Sequence, residues 1–313
     1  MPNRNKHLWG IDLGGTKIEG VVLESSTNPK VLSRYRMVTE SQKGYQHVID
    51  QIGKVIQKLS DDLQYRPEQI GMGTPGILDP VSQLMKNCNS TCLNGQPLQR
   101  DLEAKLNINF TLANDANCFA LAETNLGVVK ENFPDAKNVF GVIIGTGVGG
   151  GIVVNGKLLN GLHGIGGEWG HNYLHESGGL CYCGKVGCVE TILSGPALEK
   201  FYFSLTNNKK TLPEIDKAHL EGTDKDASMT IGRLTGFFGQ AMSTVVNILD
   251  PDVVVVGGGV GNIEAIYKNG VASLKKYVFN DHLKTHIVKP KLGDSAGVFG
   301  AAFLTVGNFP YGY

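Results

Sequence analysis

The chain has 313 residues with a formal net charge of zero, and 41% of them are hydrophobic, which suffices for one large or two ordinary domains. Balanced charge without a long run of one sign gives no indication of a nucleic-acid or anionic-membrane surface. No apolar run reaches the roughly 18 residues of a membrane span, and residues 1–10 lack the apolar core of a signal peptide. These features predict a cytoplasmic protein with no membrane or nucleic-acid partner, whose six cysteines are reduced.

The first half of the chain alternates strand and helix patterns. Apolar residues recur at helical spacing across residues 45–63, which predicts an amphipathic helix. The polar and irregular segment 87–99 predicts a loop. The other elements predicted in this half are strands at 7–13, 18–24, 31–38, 69–73 and 110–113, and helices at 102–106 and 116–126.

The second half opens like the first. With an offset of 131 residues, segment 8–23 lies over segment 139–154, and apolar positions match on both sides. The coinciding glycines are Gly10, Gly14 and Gly20 with Gly141, Gly145 and Gly151. Chance similarity between two glycine-turn hairpins is the alternative, and the similar βββαβα succession after each copy favours a duplicated domain. Further on, the sequence predicts a mostly helical stretch at 193–226, helices at 233–249, 263–277 and 296–306, and strands at 252–256 and 287–292.

Glycine-rich turns are the most informative local feature. The chain has 42 glycines, about 13% against a typical ~7%, and they cluster where strands end. Glycine lets backbone N–H groups point at an anion without side-chain obstruction. Three turns are candidates for nucleotide phosphates: Gly14, Gly15, Thr16 and Lys17; Gly145, Thr146 and Gly147; and Gly257, Gly258 and Gly259. Ordinary tight turns are the alternative interpretation.

Two well-known nucleotide motifs do not explain these turns. Residues 145–150 match G-x-G-x-x-G, but that dinucleotide fingerprint requires a helix directly after the glycines. Residues 152–157 instead predict a strand and a turn, which argues against a nucleotide-dependent dehydrogenase. No G-x-x-x-x-G-K-[ST] segment occurs, so the chain has no P-loop.

Two aspartates follow or interrupt strands near these turns. Asp12 breaks an apolar strand just before the first glycine turn, where a carboxylate beside phosphates could face Mg²⁺ through water. Asp115 follows a strand and begins a helix, and is the candidate general base for phosphoryl transfer to an alcohol. A structural, hydrogen-bonded Asp12 and a helix-capping Asp115 are the alternatives.

One imidazole and three thiols lie within 18 residues, at His171, Cys181, Cys183 and Cys188. Three Cys and one His fit a closed tetrahedral structural zinc site, and the interleaved glycines allow tight turns around a metal. Free reduced thiols are the alternative. Four further polar residues suit a polyhydroxylated ligand, whose hydroxyls both donate and accept hydrogen bonds. They are Glu168, Glu190, Asn89 and Asn114.

Taken together, these motifs resemble the ROK group of bacterial sugar kinases over nearly the whole chain. The matching segments are 12–17 (DLGGTK), 73–76 (GTPG), 114–117 (NDAN), 145–151 (GTGVGGG), 167–171 (GEWGH), 181–190 (CYCGKVGCVE) and 257–259 (GGG).

The resemblance implies an α/β actin-like ATPase fold of two duplicated ribonuclease-H-like domains with the active site in the cleft between them. We expect residues 1–114 with 297–313 to form the smaller domain and residues 115–296 the larger one. The resemblance makes Asp115 the catalytic base and puts ATP, with Mg²⁺, at the glycine turns. The sugar-binding positions are Gly76, Asn89, Asn114, Asp115, Glu168, His171 and Glu190. His171 would then use one ring nitrogen for zinc and the other for the sugar.

The expected reaction is ATP-dependent transfer of the γ-phosphoryl group to the 6-hydroxyl of a hexose. Glucose and N-acetylglucosamine are the leading substrates, and N-acetylmannosamine, mannose and fructose stay open. Segment 114–121 resembles N-acetylglucosamine kinases, whereas only nine residues separate His171 from Cys181, which leaves the preference unsettled. A non-catalytic sugar-binding regulator is a further alternative; the first strand begins by His7, which leaves no room for an N-terminal helix-turn-helix. The resemblance also favours a homodimer.

Overall fold

The structure, a computed structural model, describes residues 7–306. The strands are β1 (Leu8–Leu13), β2 (Lys17–Leu23), β3 (Val31–Val38), β4 (Gln69–Thr74), β5 (Ile77–Leu78), β6 (Met85–Lys86), β7 (Asn109–Asn114), β8 (Asn138–Ile144), β9 (Val148–Val154), β10 (Lys157–Leu158), β11 (Val253–Gly257) and β12 (His286–Val288). The helices are α1 (Tyr45–Leu63), α2 (Leu98–Leu106), α3 (Asp115–Asn125), α4 (Val128–Asn132), α5 (Glu190–Leu193), α6 (Gly195–Thr206), α7 (Leu212–Leu220), α8 (Lys225–Leu249), α9 (Val271–Leu274) and α10 (Ala296–Phe303).

The described chain divides into two compact units. The first unit contains residues 7–127, 160–166 and 292–306, and the second contains residues 128–159 and 167–291. The expected boundary lay between residues 114 and 115 and assigned α3 to the larger domain. In the structure, α3 belongs to the first unit. The parts of the expected smaller domain at residues 1–6 and 307–313 lie outside the described residues.

Close backbone packing explains why α3 belongs to the first unit. A Cβ added at Gly300 of α10 would lie 1.8 Å from the carbonyl oxygen of Cys118 in α3, so only glycine permits this approach. The Leu292 N–H also donates to the Glu123 carboxylate of α3, at 2.8 Å. The boundary therefore falls after α3, a contact between distant segments that local sequence patterns do not reveal.

A five-stranded sheet forms the centre of the first unit, in the order β3-β2-β1-β4-β7. β1, β2 and β3 pair antiparallel, whereas β1, β4 and β7 are parallel. Helix α1 buries its apolar face against this sheet, with Ile52, Val55 and Leu59 fully buried. A Cβ added at Gly20 of β2 would lie 2.6 Å from Val55, so the absence of a side chain at Gly20 lets α1 pack closely on the sheet.

The second unit repeats the same topology, in the order β10-β9-β8-β11-β12. β8, β9 and β10 pair antiparallel, and β8, β11 and β12 are parallel. Helix α8 packs its buried face, which includes Leu234, Phe238 and Met242, into the core of this unit. The shared strand order and directions confirm the duplication inferred from the sequence.

The two opening hairpins differ by one residue in register. β1 and β2 close with Leu13 opposite Ile18, whereas β8 and β9 close with Ile144 opposite Val148. The first turn therefore has four residues between its closing pair and the second has three. β9 follows the second turn directly, which confirms that residues 145–150 do not introduce a helix.

Several element boundaries differ from the sequence-based expectation. α2 begins at Leu98, four residues earlier than expected, because Leu98 and Leu102 share one buried face. The helix expected at 263–277 is a π-helical turn, Ile266–Gly270, followed by the short α9. β12 ends at Val288 because Pro290 has no N–H for a sheet ladder.

Within residues 7–306, no helix is long and apolar enough to cross a membrane.

Candidate functional site

Asp12 lies at the carboxyl end of β1, over the backbone of two glycines. It pairs in register with Gly73 of β4, and a Cβ added at Gly73 would lie 3.2 Å from its Oδ1. A Cβ added at Gly297 would lie 2.9 Å from its Oδ2. Burial, and then the charges of Asp115 and Glu19, raise the pKa of Asp12 to about 6. The carboxylate is therefore held where its negative charge is unfavourable without a cation.

We expect Asp12→Asn to stabilise the fold near pH 7 in the absence of divalent cations. The folded-state pKa of about 6 exceeds the ordinary value of 3.8, so ionisation of Asp12 costs stability as pH rises from about 4 through 6. Removing that charge should raise the free energy of unfolding by about 1–3 kcal/mol at pH 7.5. Urea unfolding measures this gain, which should shrink at pH 5.

The control for this measurement is Asp135→Asn, which replaces an exposed carboxylate of the second unit. It should leave the free energy of unfolding within about 0.5 kcal/mol at both pH values. A destabilised Asp12→Asn protein, or an equal gain in the free energy of unfolding at pH 5 and pH 7.5, would contradict the view that the ionised Asp12 carboxylate destabilises the fold.

Asp115 is the first residue of α3 and is exposed to solvent. The helix cap is Asn114, whose side chain accepts from the Asn117 N–H at 2.7 Å, so capping does not account for Asp115. Desolvation by the surrounding protein raises the pKa of Asp115. Hydrogen bonds from backbone N–H groups, including that of Ala116, act in the opposite direction and lower it. An accessible carboxylate with a raised pKa has the properties of a general base.

Parallel pairing brings the two aspartates to one edge of the sheet. Gly73 of β4 is in register with both Asp12 of β1 and Ala113 of β7, and Asp115 follows two residues later. The charge of Asp115 contributes to the raised pKa of Asp12. The sequence analysis singled out both residues, and the register explains why they lie at the same edge of the sheet.

The first glycine turn is tied to the sheet and open at its tip. The Gly14 N–H donates to the Lys17 carbonyl at 2.9 Å, and the Thr39 hydroxyl donates to the Gly14 carbonyl at 2.7 Å. Gly15 and Thr16 are exposed. This arrangement presents backbone groups to solvent on a fixed turn, as anion binding requires.

The other two glycine turns lie together in the second unit. β8 and β11 are parallel neighbours with Gly257 opposite Ile143, so their carboxyl ends meet. Gly258 has φ +81°, and a Cβ added there would lie 2.3 Å from the Ile144 carbonyl oxygen. Gly145 begins the neighbouring turn, and its carbonyl accepts from the Gly195 N–H at 2.8 Å. The two candidate phosphate turns thus form one glycine-lined surface, on which Thr146, Gly258 and Gly259 are exposed.

Glu190 contacts this surface directly. Its Oε2 accepts from the Val148 N–H at 2.9 Å, and a Cβ added at Gly147 would lie 2.7 Å from the same oxygen. Glu168 precedes the 3-10 turn Trp169–His171, and a Cβ added at Gly170 would lie 2.1 Å from the Val148 carbonyl. Val148 therefore links the segments that carry Glu168, His171 and Glu190 to the second glycine turn.

Two of the predicted sugar-binding positions in the first unit are also linked. The Asn89 N–H donates to the Pro75 carbonyl at 3.4 Å, which joins its loop to the turn that contains Gly76. A Cβ added at Gly76 would lie 2.5 Å from Cys88 Sγ, so glycine is required for this contact. Thr74 donates to the Gly76 and Ala113 carbonyls, which ties this turn to the end of β7.

The four predicted metal ligands form one cluster. The ligand atoms of His171, Cys181, Cys183 and Cys188 all lie within 4.8 Å of one another. His171 Nδ1 is 3.6 Å from Cys181 Sγ, and Cys183 Sγ is 3.6 Å from Cys188 Sγ. Tetrahedral ligands with Zn–S bonds of ~2.3 Å lie roughly 3.7 Å apart, whereas a disulfide joins sulfurs at ~2.05 Å. The donor set therefore fits a tetrahedral metal and not a disulfide.

Tight turns bring the ligands together. The Cys181 N–H donates to the Lys185 carbonyl at 2.8 Å, and Gly184 and Gly187 have φ of +86° and +76°. A Cβ added at Gly187 would lie 2.5 Å from the His175 carbonyl oxygen. The glycines between the cysteines are thus needed for the chain reversal, as the sequence suggested.

Tyr182 is a contact that the sequence analysis did not identify. Its hydroxyl lies 2.9 Å from His171 Nε2, the nitrogen that was expected to face the sugar. With a metal on Nδ1, Nε2 would carry the proton and donate to the Tyr182 oxygen. Nothing in the sequence pointed to this contact, since Tyr182 lies between two cysteines and follows no periodic pattern. In the structure the residue is 76% exposed.

The chain is similar to members of one protein family over nearly its whole length. The ROK family model matches residues 8–307. N-acetyl-D-glucosamine kinase from Aliivibrio fischeri (strain ATCC 700601 / ES114) is 35% identical over 309 residues, covering 95% of this chain and 99% of that protein. The enzyme of the same name from Vibrio parahaemolyticus serotype O3:K6 (strain RIMD 2210633) gives the same identity and coverage.

Two solved structures are similar in both fold and sequence. The ROK hexokinase from Thermus thermophilus has a TM-score of 0.85 at 30% identity, covering 95% of this chain and 97% of that one. A ROK family glucokinase from Streptomyces griseus, in complex with glucose and AMPPNP, has a TM-score of 0.75 at 25% identity, covering 95% and 98%. Because the match extends along nearly all of each partner and includes the duplicated sheets, the chain belongs to the ROK family and has the actin-like ATPase fold.

Proposed function

We propose that this protein is an ATP-dependent sugar kinase that transfers the γ-phosphoryl group to the 6-hydroxyl of N-acetylglucosamine. The observation that carries the proposal is the accessible Asp115 carboxylate, whose pKa is raised, at the same sheet edge as Asp12. Relatives named N-acetyl-D-glucosamine kinase match 95% of the chain, which favours this sugar over glucose.

Asp115 is the proposed catalytic base. Phosphoryl transfer to an alcohol needs a carboxylate that accepts the hydroxyl proton as the oxygen attacks phosphorus. Solvent exposure leaves the carboxylate free to meet a substrate. The fixed position of α3 on β7 restricts where the sugar hydroxyl must lie, which favours a productive orientation.

The glycine turns are the proposed ATP-binding segments. In the first unit these are Gly14, Gly15, Thr16 and Lys17, and in the second they are Gly145, Thr146, Gly147, Gly257, Gly258 and Gly259. Asp12 would hold Mg²⁺, in keeping with a carboxylate whose pKa stays raised to about 6 despite the nearby charges of Lys17 and Arg36. When bound with ATP, Mg²⁺ neutralises phosphate charge and assists transfer.

Seven residues are proposed to bind the sugar: Gly76, Asn89, Asn114, Asp115, Glu168, His171 and Glu190. Their amide, carboxylate and imidazole groups suit hydroxyls that both donate and accept. We further propose that zinc occupies the His171, Cys181, Cys183 and Cys188 cluster and fixes the turn that carries Glu168. The homodimer and the cytoplasmic location expected from the sequence stay predictions.

A coupled assay of ADP release tests the proposed reaction. Glucose, N-acetylglucosamine, N-acetylmannosamine, mannose and fructose are supplied separately with ATP and Mg²⁺. We expect kcat/KM for N-acetylglucosamine to exceed that for glucose by about tenfold or more, as sites that bind a specific polar substituent discriminate. Mass spectrometry should then find the product heavier by one phosphoryl group.

The sugar-free reaction measures ATP hydrolysis and serves as the blank. A higher kcat/KM for glucose would reassign the substrate within the hexoses. If no sugar stimulates ADP release, the kinase assignment is wrong and a non-catalytic sugar-binding regulator becomes the better hypothesis.

A further inference from the structure

Tyr182 lies among the sugar-binding residues proposed for the second unit. Its hydroxyl is 2.9 Å from Nε2 of His171, and the two rings meet edge to face with centroids 5.1 Å apart. The surrounding protein desolvates this hydroxyl and raises the pKa of Tyr182 to about 12, and charges that include those of Glu190 and Glu168 add to the shift. The hydroxyl of Tyr182 is therefore close to all three proposed sugar ligands of this unit.

The contact occupies the ring nitrogen of His171 that is left for a ligand. Nδ1 lies 3.6 Å from Cys181 Sγ, within the cluster of thiols, so Nε2 is the nitrogen that can meet the sugar. Each nitrogen of a neutral imidazole makes one hydrogen bond, as a donor or as an acceptor. In either tautomer, the Tyr182 hydroxyl fills the position on Nε2 that a sugar oxygen would take.

A phenol and a sugar hydroxyl are equivalent partners for this nitrogen. Each has one O–H donor and oxygen lone pairs that accept, so each can pair with Nε2 of His171 whether that nitrogen carries a proton or not. One nitrogen cannot make a full hydrogen bond to both at once. The Tyr182–His171 contact and a sugar bound to His171 therefore exclude each other.

The backbone around Tyr182 is fixed, whereas its side chain is not enclosed. The Cys181 N–H donates to the Lys185 carbonyl at 2.8 Å, and the Gly184 N–H donates to the Cys181 carbonyl at 3.0 Å, which closes a tight turn around the tyrosine. The residue is 76% exposed, and exposed side chains change rotamer rapidly. The phenol can therefore leave His171 by rotation of its side chain, without disturbing the turn that carries the thiols.

We propose that Tyr182 is a gate on the sugar site: in the sugar-free protein its hydroxyl holds the place of a sugar oxygen on His171 Nε2, and the incoming sugar displaces it. The inference rests on the proposed sugar kinase function, in which His171 binds the sugar. Because sugar binds only the open fraction, closure lowers the apparent affinity by that fraction. The net strength of one hydrogen bond corresponds to a reduction of about threefold to tenfold.

Tyr182→Phe tests the gate, because it keeps the ring and removes the hydroxyl. Calorimetric titration with N-acetylglucosamine, without ATP, should give a Kd lower than that of the unaltered protein by about threefold to tenfold. KM should fall with Kd while kcat stays unchanged, since the phenol takes no part in proton transfer. An unchanged Kd would overturn the inference. A higher Kd would also overturn it, because the hydroxyl would then hold the sugar.

The matched control is Tyr173→Phe, which removes the same atom from a second tyrosine of this segment. Tyr173 is 68% exposed and forms a β-bridge with Cys188, and its substitution should leave the Kd for the sugar unchanged. An equal gain in affinity from Tyr173→Phe would overturn the specific role of Tyr182. Absence of sugar binding and of ADP release in the unaltered protein would overturn the proposed function and, with it, this inference.

Deoxy sugars separate competition from an effect on the fold. The set contains 2-deoxyglucose and the analogues of N-acetylglucosamine that lack the hydroxyl at C1, C3 or C4. The sugar that lacks the oxygen for His171 does not need to displace the phenol, so Tyr182→Phe and the unaltered protein should bind it equally. The other sugars should keep the gain in affinity. An equal gain with every sugar would mean that the hydroxyl acts through the fold, and would overturn the inference.

Discussion

Asp115→Asn should lower kcat by about 10²–10⁴-fold, the range that general acid–base catalysis contributes. Asparagine preserves the size of the side chain and its place at the start of α3, but it cannot take the proton from the attacking hydroxyl. Binding of ATP and sugar should change little, because the other proposed ligands stay in place. Steady-state kinetics gives kcat, and calorimetric titration with sugar separates binding from turnover.

Asp135→Asn controls for the loss of one negative charge, and should retain the unaltered kcat. A near-normal kcat for Asp115→Asn would remove Asp115 from the reaction. Loss of sugar binding in proportion to the loss of kcat would make Asp115 a binding residue instead.

The pH profile gives a second readout of the same carboxylate. The base acts in its ionised form, so kcat/KM should decrease on acidification. Because the pKa of Asp115 is raised, this decrease should begin at a higher pH than for an ordinary aspartate. Asp12 also has a raised pKa, of about 6, to which the charge of Asp115 contributes, so the profile reports the pair of carboxylates. Asp115→Asn should also lower the pKa of Asp12, since it removes a charge that raises it.

Local patterns sufficed to predict most of the fold. The α1 range is correct because its apolar spacing is regular over 19 residues. The hairpins of both units follow from glycines flanked by apolar runs, and the offset alignment places β9 correctly. What local patterns could not give is the boundary after α3, because that depends on Gly300 meeting Cys118, 182 positions away along the chain.

The same distinction holds for the candidate site. Asp12 was identified because a carboxylate within an apolar strand is costly to bury. Asp115 and the metal ligands were identified because their residue types and positions suit a general base and a metal site. Tyr182 could not be identified, because its contact with His171 depends on the turns around the thiols, which only the tertiary structure shows.

Cys188→Ser should abolish zinc binding and destabilise the second unit. Cys188 is fully buried and its Sγ lies 3.6 Å from Cys183 Sγ, so serine removes one thiolate from the interior of the cluster. Structural zinc contributes about 10–16 kcal/mol of apparent binding free energy in small zinc domains. If only about 3 kcal/mol of this supports folding here, Tm falls by roughly 6–12 °C for a domain of this size. Metal analysis should give about one zinc per chain before the substitution and close to none after it.

Cys92→Ser is the matched control, because Cys92 is a partly buried thiol outside the cluster. It should keep both the zinc content and the Tm. A chelator should lower the Tm of the unaltered protein towards that of Cys188→Ser and have little further effect on the variant, since both treatments remove the same metal. The variant should also show a raised KM for the sugar, because Glu168 directly precedes the 3-10 turn that contains His171, and the metal would hold that turn in place. Unchanged zinc content, or zinc loss without a change in Tm or KM, would leave the cluster without its structural role.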